Sequence, residues 1–123
     1  MSFALQRYRS SRVETSSPVQ LLVQLYDAAI RHLQEVEQAI EARDPKRKGL
    51  GVVKAHAIVS ELQATLDHDK APELCERLHE LYDFCLIRIT EANARWEADA
   101  ARDAAQVLVT LRTAWAELVG TGT

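Results

Sequence analysis

Chain breakers are scarce here: four glycines and three prolines in 123 residues leave most of the sequence as long uninterrupted stretches. Sustained period-two alternation is missing, which argues against strands. No apolar run approaches the ~20 residues that a membrane span needs. The opening Met1-Ser2-Phe3-Ala4-Leu5-Gln6-Arg7 has no apolar stretch of signal-peptide length, so a cytoplasmic protein is expected. A strong charge of one sign is lacking too. The formal net charge is -3, and no cationic stripe follows a helix face, which speaks against nucleic acid as a partner. Cysteine is limited to Cys75 and Cys85. On one helix they stand ~15 Å apart, too far for a disulfide, and their spacing is no metal signature. Both read as reduced core side chains.

What is present has helical periodicity. Pro18, Pro45 and Pro72 each precede a long stretch without a breaker, at the first-turn position that proline favours. Ser17-Pro18-Val19-Gln20 reads as a capping box opening a helix to about Arg43. Leu22, Tyr26, Ala29, Leu33, Val36 and Ile40 form its stripe, with Leu21, Leu25 and Ala28 as a second one beside it. A second helix, about Lys46 to Leu66, carries Val52, Ala55, Val59, Leu62 and Leu66, with Ile58 beside them. A third, about Pro72 to Ala94, puts Leu74, Leu78, Leu81, Cys85, Ile89 and Ala92 in register, leaving Phe84 and Ile87 off the stripe. A fourth, about Glu97 to Val119, aligns Ala101, Ala104, Leu108, Leu111, Trp115 and Leu118. Connections this short make consecutive helices antiparallel neighbours. The predicted fold is all-α, an antiparallel up-down four-helix bundle over 17–119. Residues 1–16 form a flexible or short-helical arm, and 120–123 a disordered tail. Helices one and three carry more apolar surface than one seam needs, which fits either a wide core stripe or a groove for a partner helix.

Chemistry finds little footing. Glu76 and His79 make a single Glu-x-x-His pair, whereas di-metal bundles use two plus further glutamates. His32, His56 and His68 do not cluster with it, and Asp27, Asp83 and Asp103 read as surface carboxylates. There is no Gly-rich phosphate loop, nucleophile elbow or Cys-His signature. No enzyme activity, metal or cofactor is expected. Lys46-Arg47-Lys48 and the arm's Arg7, Arg9 and Arg12 are short basic runs read as solvated.

Phrases along the whole chain resemble one family, the flagellar secretion chaperones (FliS). They are Ser17-Pro18-Val19-Gln20-Leu21-Leu22, Leu25-Tyr26-Asp27-Ala28-Ala29-Ile30, Lys54-Ala55-His56-Ala57-Ile58-Val59, Glu61 to Asp67, Leu81-Tyr82-Asp83, Glu91-Ala92-Asn93 and Trp115. Tyr8 falls where the family tends to have an N-terminal tyrosine. Cys85 departs from the family, as does Gly49-Leu50-Gly51, two glycines that weaken a helix start. The resemblance implies a chaperone without catalytic activity. Such a chaperone binds the C-terminal amphipathic segment of flagellin, keeps it from polymerising in the cytoplasm and brings it to the flagellar export apparatus. On that basis Tyr8, Leu21, Leu25, Tyr26, Ile58, Leu62, Leu81, Tyr82 and Asn93 are the candidates for lining or supporting the grooves. Core packing competes for Tyr26, Leu62 and Leu81. The arm, with Phe3, Leu5 and Tyr8, is expected to cover an empty groove. Oligomeric state, a homodimer included, is left open. A general helical adaptor for other amphipathic helices is the alternative.

Overall fold

A computed structural model describes residues 17–122. Four helices follow one another: α1 Pro18–Glu41, α2 Pro45–Ala64, α3 Pro72–Arg95 and α4 Ala98–Gly122. Local chemistry sets their starts. The Ser17 side chain accepts from the Gln20 N–H at 3.1 Å while the Gln20 side chain accepts from the Ser17 N–H at 2.9 Å, closing the predicted capping box. Asp44 caps α2 by accepting from the Arg47 N–H at 3.1 Å. α3 has no side-chain cap and begins on Pro72.

The ends differ from the sequence pattern by a few residues. α1 stops at Glu41 rather than Arg43, in a Schellman arrangement: Asp44 N–H bonds Ala39 O and Arg43 N–H bonds Ile40 O. The residue in the left-handed position is Arg43, at φ 55°. α4 continues to Gly122, past the boundary predicted at 119 and into the stretch expected as a disordered tail. A glycine weakens a helix by about 1 kcal/mol without stopping it, and no proline follows Gly120. The arm, residues 1–16, lies outside the described residues.

The helices form a ring. α1 packs most extensively on α4 and α2, and α3 closes the ring against α2 and α4. Directions alternate. Asp27 meets Arg112, and Glu37 meets Arg102, so the numbers on α1 and α4 run oppositely. Arg47 at the start of α2 pairs with Glu35 near the end of α1 at 2.6 Å. The ring is therefore the expected antiparallel up-down bundle.

Its core runs through Leu25, Tyr26, Leu33, Val36, Val59, Leu62, Leu78, Tyr82, Ile89 and Leu108. The two stripes predicted on α1 merge into one wide buried face that includes Leu21, Leu25 and Ala28. On α3 the buried row is Cys75, Leu78, Tyr82, Cys85, Ile89 and Ala92, so Leu74 and Leu81 are displaced from the seam and exposed. Both rows keep heptad-like spacing, and adjacent residues lie ~100° apart on a helix. The row holding Tyr82 turns inward because its hydroxyl finds a buried partner there. Both glycines of the Gly49-Leu50-Gly51 stretch lie inside α2. Gly51 marks the closest approach of α1: a Cβ built there would lie 2.7 Å from Val36 Cγ2 and 3.1 Å from His32 O.

Candidate partner-binding surface

The buried tyrosines come first, because they separate support from surface. Tyr26 and Tyr82 meet hydroxyl to hydroxyl across the core between α1 and α3, and the Trp115 indole N–H donates to the Tyr26 oxygen at 3.2 Å. Burial raises both phenol pKa values above the ordinary range, and at Tyr82 the neighbouring Tyr26 raises it further. Neither phenol reaches the surface: Tyr26 is 0 % and Tyr82 2 % exposed. Two of the sequence candidates thus stand behind any groove rather than in it. Cys85 lies beside them, its thiol donating toward Ala104 O at 3.7 Å, and burial pushes that thiol up to about 12.

At the Pro18 end a cleft of ≈ 130 Å³ opens between α1 and α2, lined by Pro18, Leu22, Leu25, Glu61, Leu62 and Thr65. It brings together two more sequence candidates, Leu25 and Leu62, as a nearly buried floor. Leu21 is buried in the same stretch of α1, and Ile58 packs half-buried one turn before Leu62. One carboxylate oxygen of Glu61 is buried there without a hydrogen-bond partner among the described residues.

Outward-facing apolar side chains complete the surface. On α2, Leu50, Val53 and Ala57 are exposed and recur at helical spacing on the face opposite the core row. The sequence pattern missed this face, because it read α2 as a single stripe with Ile58 beside it and placed the surplus on α1 and α3. The signal was available: apolar residues at 50, 53 and 57 interleave with those at 52, 55 and 59. On α3 the surplus is real, with Leu74, Leu81, Phe84 and Ile87 all exposed. Leu81 therefore moves from the expected core row to the surface. Asn93 is exposed, and its backbone carbonyl accepts from Lys48 Nζ at 2.7 Å. Tyr8 lies outside the described residues.

Other readings resolve differently. The run Lys46-Arg47-Lys48 is not a solvated turn but the first turn of α2. Arg47 pairs with Glu35, and Lys48 is buried against α3. His79 pairs with Asp83 at 3.5 Å and stacks edge-on to His68 with ring centroids 6.0 Å apart. No group of three or more His, Cys, Asp or Glu able to hold a metal converges among the described residues. No helix among them is long and apolar enough to cross a membrane.

A closed helical bundle whose core is complete, yet whose second and third helices present further apolar rows to solvent, defines a class: a helical protein-binding module. Over residues 1–122 the sequence matches the family described as flagellar protein FliS. It is similar to the flagellar secretion chaperone FliS of Salmonella typhimurium, 34 % identical over 109 residues, spanning 88 % of this chain and 81 % of the relative. It is also similar to the flagellar secretion chaperone FliS of Bacillus subtilis, 28 % identical over 112 residues, spanning 91 % and 83 %. A crystal structure of a bacterial flagellar chaperone shares the fold, with a TM-score of 0.78 over 95 % of each chain at 24 % identity. The chain belongs to the FliS family of flagellar secretion chaperones.

Proposed function

We propose that this chaperone binds the C-terminal amphipathic segment of flagellin in the cytoplasm, withholds it from polymerisation and helps deliver it to the flagellar secretion apparatus, without catalysis. The observation that carries this reading is the outward apolar surplus on α2 and α3. A segment that is disordered when free brings an apolar face that no water-facing surface satisfies, and these rows offer it cover over a long path. Leu25 and Leu62 line the α1–α2 cleft, and Ile58 packs against the core one turn before Leu62. Leu81 contributes from α3. Leu21, Tyr26 and Tyr82 hold the shape from beneath, and Asn93 is exposed at the end of α3. Tyr8 belongs to the arm that competes for the same apolar surface.

Calorimetric titration with the C-terminal segment of the flagellin from the same organism tests the reading. One-to-one binding with a negative heat-capacity change is expected. Leu81→Glu and Val53→Glu should weaken it by at least about tenfold while helicity and melting temperature hold, because both side chains are exposed. No binding to flagellin, with binding to unrelated amphipathic helices, would replace flagellin with the general adaptor.

A further inference from the structure

The α1–α2 cleft holds a carboxylate that the fold does not use. Pro18, Leu22, Leu25 and Leu62 make its lining mostly apolar, and Glu61 is the charged residue on it. Glu61 Oε2 is buried and has no hydrogen-bond partner among the described residues. The donors beside it in the sequence are engaged elsewhere. Thr65 Oγ1 donates to Leu62 O at 2.9 Å, Gln63 Nε2 reaches across to Asp83 at 2.7 Å, and Ser60 Oγ meets His56 Nδ1 at 3.4 Å. A buried acceptor left unpaired costs stability, and the cost is larger for a charged group. An apolar side chain of the same length would relieve it. The position thus favours binding over folding.

The cleft also continues the apolar path on α2. Leu50, Val53 and Ala57 form the outward row, and Glu61 follows Ala57 by one turn on the same side of the helix. A segment lying along that row reaches the cleft at Glu61. The cleft volume, ≈ 130 Å³, is well below the ~300 Å³ at which pockets for small-molecule ligands begin. It suits a side chain of a bound segment.

We infer that Glu61 is a specificity-determining residue for the segment bound along α2. The segment seats an apolar side chain in the cleft and carries a lysine or arginine whose N–H donates to Glu61 Oε2. On a helical segment these two residues stand three or four positions apart. A cation is the complement, because the lining offers one negative charge and no positive one, and charge-assisted hydrogen bonds are the stronger kind. The inference rests on the flagellin reading above and adds which chemistry the chaperone selects.

The test is calorimetric titration of the full chain with the C-terminal flagellin segment from the same organism, and with variants of that segment in which each lysine and arginine is replaced singly by methionine. Glu61→Met and the isosteric Glu61→Gln should each weaken binding at least about tenfold. Without partner, Glu61→Met should melt roughly 2–5 °C higher than the parent chain. Glu41→Gln removes the same charge from the far end of α1 and should change affinity less than about twofold. One segment position should lose affinity against the parent chain and lose none against Glu61→Met, the signature of a direct pair. Unchanged affinity in both Glu61 variants, a lower melting temperature in Glu61→Met, or the absence of any such coupled position overturns the inference while the flagellin reading stands. Self-association of the free chain that Glu61→Met abolishes gives the cleft to a second copy and overturns it as well. No binding of the parent chain to the segment overturns the flagellin reading and this inference with it. If Glu61→Met fails to fold, Glu61→Gln decides.

Discussion

Gly49 and Gly51 look alike in the sequence and differ by one close contact. Nothing lies within 4 Å of a Cβ built at Gly49, whereas Gly51 faces Val36 and the His32 carbonyl. Gly49→Ala should stabilise the fold by up to about 1 kcal/mol, the helix-propensity difference. Gly51→Ala should cost about 1–3 kcal/mol by overpacking. Urea denaturation midpoints of the two variants check both signs. Arg43→Gly should add about 1 kcal/mol by relieving a left-handed non-glycine residue. Tyr82→Phe removes one member of the buried hydroxyl pair and leaves Tyr26 with only the Trp115 donor. The expected cost is about 1–2 kcal/mol at neutral pH, read by thermal melting. None of these partners was legible in the sequence, because each contact joins positions far apart in the chain. Lys48 shows the same limit: within a run of three cations, nothing local marks the one that is buried against α3.

At the scale of the element, helix existence followed from proline placement, capping chemistry and periodicity, all of which are local. Ser17→Ala should therefore lower stability by about 1 kcal/mol through loss of the α1 cap. Which face of a helix turns inward was less legible. α3 offers two apolar rows, one with Leu74 and Leu81 and one with Cys75 and Tyr82, and periodicity alone favoured the leucines. Leu78 belongs to the core in either phase, but Leu74 does not. Leu74→Glu should change stability by less than about 0.5 kcal/mol. Leu78→Glu should cost more than about 3 kcal/mol by placing a carboxylate in the core. Paired urea melts of these two variants test the phase of α3 directly. α2 hid its outer apolar row for a related reason: with apolar residues on opposite faces, neither stands out as the partner-facing one.

Across the whole molecule, each interface of the ring carries a polar clasp. Glu35–Arg47 joins α1 and α2, Gln63–Asp83 α2 and α3, Arg88–Asp103 α3 and α4, and Asp27–Arg112 with Glu37–Arg102 α4 and α1. They lie at the surface, where water screens each pair and leaves it little net stabilisation. Their value lies in fixing register. The pH profile belongs to the same scale. Tyr26, Tyr82 and Cys85 are held above their ordinary values by burial, so their contribution is complete below the ordinary 10.0 of tyrosine and 9.0 of cysteine. It is lost as pH rises through that range, because the unfolded chain ionises first. His32 is lowered from 6.5, first by desolvation and then by Lys54 and Arg31, so its contribution is present above that value and lost as pH falls. Denaturation midpoints against pH should show a plateau bounded by these limits, and Tyr82→Phe should soften its alkaline edge. The sequence alone determined the number of helices among the described residues, their approximate length, antiparallel order and family, because these depend on local chemistry and on motif order. Only the tertiary structure decided that Tyr82 faces the core and Leu81 the solvent, that Gly51 is a contact point, and that Glu61 lines an apolar cleft. Those outcomes rest on side chains meeting across helices, where packing and hydrogen-bond satisfaction choose between faces that periodicity leaves equivalent.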